Sequence, residues 1–173
     1  MRDDKEGLDE LFSATYEELR RLASSVRGND PSDTLNPTAL VNEAYVKLAG
    51  SLRLRPESRL HFKRIAARAM RQVLVEAARR RHAEKRGAGV AFVTFDEALD
   101  AATGTSDEVL ALDGALDDLA RMNPRQARMV EYRFFGGLDL AETAQAMEVS
   151  ESTILRDWRS ARAWLGAELR RAR

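Results

Sequence analysis

The sequence predicts an all-α protein: two small helical domains joined by a flexible linker, the second containing a helix-turn-helix. Three observations predict it. Apolar residues recur at helical spacing along most of the 173 residues. Helix-opening and helix-closing residues (Asn-Pro, Ser and Asp caps, Gly pairs) punctuate those stretches. The pattern lapses from residue 87 to about 106, where Gly, Thr, Ala and Asp follow one another with no sustained period.

The first domain, 1–86, opens with a helix over about 7–27, on which Leu8, Leu11, Phe12, Leu19, Leu22, Ala23 and Val26 share a stripe. Gly28-Asn29-Asp30-Pro31 ends it. Asn36-Pro37 opens a second helix, because Asn caps well and a first-turn proline loses no hydrogen bond. Leu40, Val41, Ala44, Tyr45 and Leu48 form its buried face, and Gly50 closes it. Ser51–Leu60 reads as a basic loop. A long third helix, about His61–Arg86, follows, with a core stripe of Phe62, Ile65, Ala66, Ala69, Met70, Val73 and Ala77. Arg64, Arg68 and Arg71 occupy another face, so the helix is expected to pack on a small bundle with its back to a phosphate backbone.

The second domain, 107–173, begins with a helix carrying Val109, Leu110, Leu112, Leu116 and Leu119. Asn123-Pro124 caps the next, which carries Ala127, Met129, Val130 and Phe134 and ends at Gly136-Gly137. Residues 138–165 read as the helix-turn-helix. Asp139 and Glu142 have capping-box spacing, with Leu138 as a hydrophobic staple. Ala144 suits a close helix crossing, and Ser150 caps a second helix whose Ile154, Ala161 and Leu165 point inward. The start of such a helix faces the major groove, which makes Glu151, Ser152, Thr153, Arg156 and Arg159 candidate base contacts and Arg162 a candidate phosphate contact. Trp158 and Trp164 are expected to pack rather than to stack on bases.

Charge supports a polyanion partner. The formal net charge is zero, from 28 basic and 28 acidic residues, but the signs are segregated. Residues 53–86 are strongly basic and include Arg64, Arg68, Arg71, Arg79 and Arg80, the first domain's candidate DNA contacts. Residues 96–120 carry acids and neither Lys nor Arg. The acidic second half of the linker, before about residue 106, would be repelled by DNA and could lie transiently against the basic third helix. No cysteine is present, which excludes thiol chemistry and disulfides. No metal site or cofactor is expected, since His61 and His82 lack ligand spacing and no nucleophile–base pair or Gly-rich phosphate loop stands out. With no membrane-length apolar run and no signal peptide, a cytoplasmic, non-enzymatic monomer that does not engage membranes is the expectation.

The order of these pieces resembles the ECF group of the sigma-70 family. The most specific stretch runs from Phe134 to Ala144 (FFGGLDLAETA), continued by Val149–Ile154 (VSESTI), and is similar to the family region that binds the upstream promoter element. Ala39–Leu48 (ALVNEAYVKL) resembles the helix that docks on the clamp of the polymerase's largest subunit. By that resemblance, Leu40, Asn42, Glu43 and Lys47 are polymerase contacts, and the second domain meets the second-largest subunit's flap. The third helix resembles the part that engages the melted downstream element, with flipped bases captured around Ser51–Leu60. The resemblance implies core RNA polymerase and promoter DNA as partners, and no bond-breaking chemistry.

Two departures stand out. Many relatives carry several acids at the start of the docking helix, whereas Leu35–Leu40 has none before Glu43. Phosphate on Thr38, in the first helical turn, would supply the missing charge and makes a Ser/Thr kinase a candidate partner, alongside an anti-sigma factor; the other reading of Thr38 is an ordinary first-turn threonine. The recognition helix also carries Leu155, Asp157 and Trp158 where many relatives are more uniformly basic. The rival function is a conventional helix-turn-helix repressor or activator that does not bind polymerase as a sigma subunit; a protein-only adaptor would leave two basic blocks unexplained.

Overall fold

The computed structural model describes residues 2–27, 37–50, 57–84 and 106–171. Seven helices make up the described residues: α1 (Arg2–Arg27), α2 (Pro37–Ala49), α3 (Arg59–Glu84), α4 (Ser106–Met122), α5 (Pro124–Phe134), α6 (Leu140–Met147) and α7 (Glu151–Arg171). The all-α expectation holds. Most of the basic loop (51–56), Lys85 and Arg86, and the linker as far as residue 105 lie outside the described residues.

Helix boundaries follow local chemistry. The charged start of the chain contains no helix breaker, and α1 runs from Arg2 rather than from about residue 7. Helix α3 begins at Arg59, two residues before the expected start at about His61, because Ser58 caps it. The Ser58 hydroxyl accepts from the His61 N–H at 3.1 Å, and its carbonyl accepts from the Phe62 N–H at 2.9 Å. Asn123 caps α5 as expected, its side-chain oxygen accepting from the Gln126 N–H at 3.1 Å.

In the first half, α1 and α2 pack on each other and on α3. Phe12 sits 4.5 Å from Tyr45 and 5.6 Å from Tyr16, centroid to centroid. The Tyr45 hydroxyl donates to the Asp9 carboxylate, a bond that raises the phenol's pKa, with burial acting in the same direction. Leu8, Leu19, Ala23, Leu40, Val41, Ala44, Leu48, Phe62, Ala66, Met70 and Val73 form this part of the core.

Helix α3 is buried on more than that stripe. Ala67, Leu74 and Ala78 are almost fully inaccessible, and with Arg71 between them they mark a second line at i, i+4, i+7 and i+11. Along that side α3 packs against α4, α5 and α6, and the apolar cluster continues from the N-terminal half through Leu112, Leu116, Met129, Phe135, Ile154 and Leu165. The two halves therefore share a core through α3.

The halves approach closely at the turn after α5. Gly137 has φ +63°, the left-handed conformation that glycine adopts without strain. Gly136 lies against α3, where an added Cβ would come within 2.6 Å of the Tyr132 carbonyl oxygen, 2.7 Å of the Ala67 Cβ and 2.9 Å of Leu138 Cδ1. Ala67 in turn packs with Tyr132, Leu138 and Ala146. Gly136→Ala is expected to destabilise the protein by about 1–3 kcal/mol through overpacking between rigid backbones. Gly137→Ala, in open space, is expected to cost only backbone strain of about 1 kcal/mol. Urea unfolding of the two variants checks the order; equal effects would mean that α5 is not seated on α3.

Candidate nucleic-acid interface

Helices α6 and α7 form the helix-turn-helix, and their caps build it. The Asp139 carboxylate accepts from the Glu142 N–H at 2.8 Å, while Glu142 accepts from the Asp139 N–H at 3.0 Å, which completes the capping box. Leu138 is buried beneath it. Glu148 takes the left-handed conformation at the end of α6 (φ 56°), and the Val149 N–H reaches back to the Ala144 carbonyl at 3.1 Å. Ser150 then caps α7, accepting from the Thr153 N–H at 3.3 Å, with its carbonyl accepting from the Ile154 N–H at 3.1 Å.

Helix α7 buries Ile154, Asp157, Ala161 and Leu165 and leaves Glu151, Ser152, Leu155, Arg156 and Arg159 exposed. These exposed residues form two neighbouring rows, 151–155–159 and 152–156, on the helix's free side. Arg156 and Arg159 have no polar partner among the described residues. Thr153 is half-buried and its hydroxyl lies 2.9 Å from that of Ser150, so it belongs partly to the cap. Arg162 is half-buried one turn further on. Trp158 is half-buried under the Arg133 guanidinium, 4.2 Å from its ring centroid. Burial there lowers the Arg133 pKa, with Asp139 opposing the shift.

The α3 arginines have separate surroundings. Arg64 lies over the Tyr132 ring at 5.8 Å, and Arg68 is exposed in a cleft of about 590 Å³ that Lys47, His61, Arg128 and Tyr132 also line. Arg71 is largely enclosed by acids of the second half. Its Nε donates to Asp113 at 2.8 Å, Nη1 to Glu131 at 3.1 Å, and Nη2 to Asp117 at 2.7 Å and to the Asp113 carbonyl at 3.2 Å. Burial alone would lower the Arg71 pKa, but these bonds outweigh it and leave it raised. Arg79 approaches Asp113 at 3.7 Å, and Arg80 approaches Glu43 at 3.6 Å.

On α2, Leu40 is buried in the core, and Asn42, Glu43 and Lys47 are exposed. Lys47 pairs with Glu76 at 2.9 Å. Thr38 is half-buried in a first turn that contains no acid. Among the described residues, no group of three His, Asp or Glu is placed to hold a metal ion, and no helix is long and apolar enough to cross a membrane.

A family model described as "ECF sigma factor" matches residues 2–171. The chain belongs to the ECF sigma factor family. No curated protein and no solved structure matches it. As an ECF sigma factor it is a DNA-binding protein of transcription initiation, working with core RNA polymerase at promoters.

Two features of this sigma factor escaped the sequence reading. Val46, at 66% exposure, is the large apolar side chain that α2 shows at its surface, beside Asn42 and Glu43. Its position off the 40–41–44–48 stripe was the available signal. Asp157, unusual in a basic recognition helix, is a buried carboxylate paired with Arg125 of α5 at 2.6 Å. No periodicity argument could locate that partner 32 residues upstream (157 − 125). The pair is asymmetric, since Asp157 is 8% exposed at its side chain and Arg125 is 50% exposed. Arg125→Met strands a buried carboxylate, whereas Asp157→Asn leaves only a solvated guanidinium. The expected losses are about 2–3 kcal/mol for the first and about 1 kcal/mol or less for the second. Thermal or urea unfolding at neutral pH checks this, and the reverse order would refute the asymmetry.

Proposed function

We propose that three surfaces divide the work of a promoter-specific initiation factor. The exposed side of α2, through Asn42, Glu43, Val46 and Lys47 with Leu40 holding the helix from beneath, docks on the clamp of the largest polymerase subunit. The second half sits on the flap of the second-largest subunit and reads the upstream element with α7. Helix α3, through Arg64, Arg68, Arg71, Arg79 and Arg80, follows the separated strands at the downstream element, where bases are captured by the loop before it. The protein supplies geometry and charge, while polymerase supplies the chemistry.

The observation that carries this reading is the exposed, unpartnered Arg156–Arg159 face at the start of α7, in a helix-turn-helix fixed by a complete capping box. Arginine can grip a guanine edge with two hydrogen bonds, and the exposed Ser152 and Glu151 add further donor and acceptor choices. Leu155, 41% exposed between them, offers an apolar surface suited to a thymine methyl group.

Regulation enters at α2. Its first turn has no acid, and Thr38 lies in it. Phosphate on Thr38 would add about −1.5 to −2 charge where the helix dipole favours it, creating the acidic surface that a basic clamp requires. A Ser/Thr kinase is the partner this implies; an anti-sigma factor is the other class of regulator.

Three outcomes follow. On a sizing column with core polymerase, Thr38→Glu co-elutes at lower concentration than the unmodified chain; equal co-elution of the two, also when Thr38 is genuinely phosphorylated, would refute the switch. Arg156→Ala weakens binding to DNA selected from a random pool by about 5- to 150-fold and relaxes preference at one base pair. In the same selected DNA, thymine-to-uracil replacement at one position weakens binding of the native chain but not of Leu155→Ala. A uracil scan with no such position would remove Leu155 from the reading surface.

A further inference from the structure

Helices α2, α3 and α5 wall the cleft of about 590 Å³. Four cations line it: Lys47 from α2, Arg64 and Arg68 from α3, and Arg128 from α5. Arg64 and Arg68 stand one turn apart on α3, and Arg128 stands one turn before Tyr132 on α5, so both helices turn an arginine-bearing row toward the same space. The acid on the wall, Glu131, is already held by Arg71 at 3.1 Å. Lys47 has Glu76 at 2.9 Å, in an exposed pair that another anion exchanges at little cost. Arg64 meets the neutral Tyr132: its Nε donates to the hydroxyl at 3.4 Å, and its guanidinium lies 5.8 Å from the ring centroid. Arg68 and Arg128 are exposed and have no polar partner among the described residues. Three guanidiniums thus share one cleft, and none of them is matched by a carboxylate among the described residues.

We propose that this cleft binds an oligophosphate, a chain of linked phosphates that is either free or carried by a nucleotide. Like charges gathered in a cleft focus the field on its interior and raise the local concentration of anions. A guanidinium fork matches phosphate oxygens with paired hydrogen bonds, and three forks from two helices can share the linked phosphates of one ligand. A single phosphate reaches fewer of them, so the chain is the preferred ligand. The volume lies within the range of about 300–1,000 Å³ that small-molecule sites occupy. Tyr132 steadies Arg64 through its ring and keeps a hydroxyl proton to donate. Gln72 adds an amide to the same wall. Arg128 separates this ligand from a DNA strand. It belongs to α5, off the α3 surface proposed to follow the separated strands, so a strand running along α3 does not need it, whereas an anion seated in the cleft does.

The test is calorimetric titration of the full chain, freed of nucleic acid, with tripolyphosphate, ATP and orthophosphate. Tripolyphosphate is expected to bind once per chain and roughly tenfold more tightly than orthophosphate. Arg68→Ala and Arg128→Ala, at exposed positions without partners to lose, should each weaken it by about tenfold, as the loss of one charge-assisted contact predicts. Arg21→Ala, a charge-matched change at an exposed position of α1, should leave it unaltered. Tripolyphosphate should also raise the melting temperature of the native chain, and raise it less in Arg128→Ala, which separates loss of the site from loss of the fold. ATP binding no tighter than tripolyphosphate assigns the site to the phosphate chain alone, and ATP binding tighter by roughly tenfold or more assigns it to a nucleotide; either supports the proposal. Several ligands per chain, orthophosphate binding as tightly as tripolyphosphate, or an equal loss in Arg21→Ala would show diffuse attraction to basic surface and overturn it. An equal loss in Arg128→Ala for a short single-stranded oligonucleotide would give the cleft to the strand and overturn it as well.

Discussion

A guanidinium cannot leave water without hydrogen-bond partners, and Arg71 sits in the middle of a helix stripe that is otherwise Ala67, Leu74 and Ala78. Whatever packs on that stripe must be small and apolar at its ends and acidic at its centre. Gly136 and Leu138 meet the first requirement beside Ala67, and Asp113, Asp117 and Glu131 meet the second around Arg71. This one constraint fixes the register of α4 and α5 on α3, and through their packing on α6 and α7 it sets where the recognition helix lies.

The seven helices were legible in the sequence because each carries an apolar period. The Asp139–Glu142 capping box and the Asn123-Pro124 start fell where the side-chain rules put them. The docking of the halves was less legible. The alanine line on α3 looks like an unremarkable helix surface until Leu74 is counted with it. The acids that meet Arg71 lie more than forty residues downstream, beyond a stretch without periodicity. The acidic half of the linker, expected to lie transiently against the basic helix, falls outside the described residues; the acids that meet α3, from Asp107 to Asp117, belong to α4 and do so in specific pairs.

The recognition helix shows why residue type alone is a poor guide to role. Its two oddities, Asp157 and Trp158, point to protein: one is buried against Arg125 and the other stacks beneath Arg133. Both partners come from α5, so these residues brace α7 on the helix that also carries Glu131 and Tyr132 toward α3. The α7 surface and the α3 surface are thus both held by one eleven-residue helix.

Two kinds of ion pair differ in what it costs to break them. On α2, Glu43 and Lys47 pair with Arg80 and Glu76 in exposed geometry. Such pairs contribute about 0–1 kcal/mol each, so a partner that takes over α2 displaces them at little cost. The Arg71 and Lys63 pairs are enclosed, and removing their partners one at a time leaves charge without solvation. A partner that docks on α2 therefore exchanges its exposed pairs without disturbing the enclosed ones.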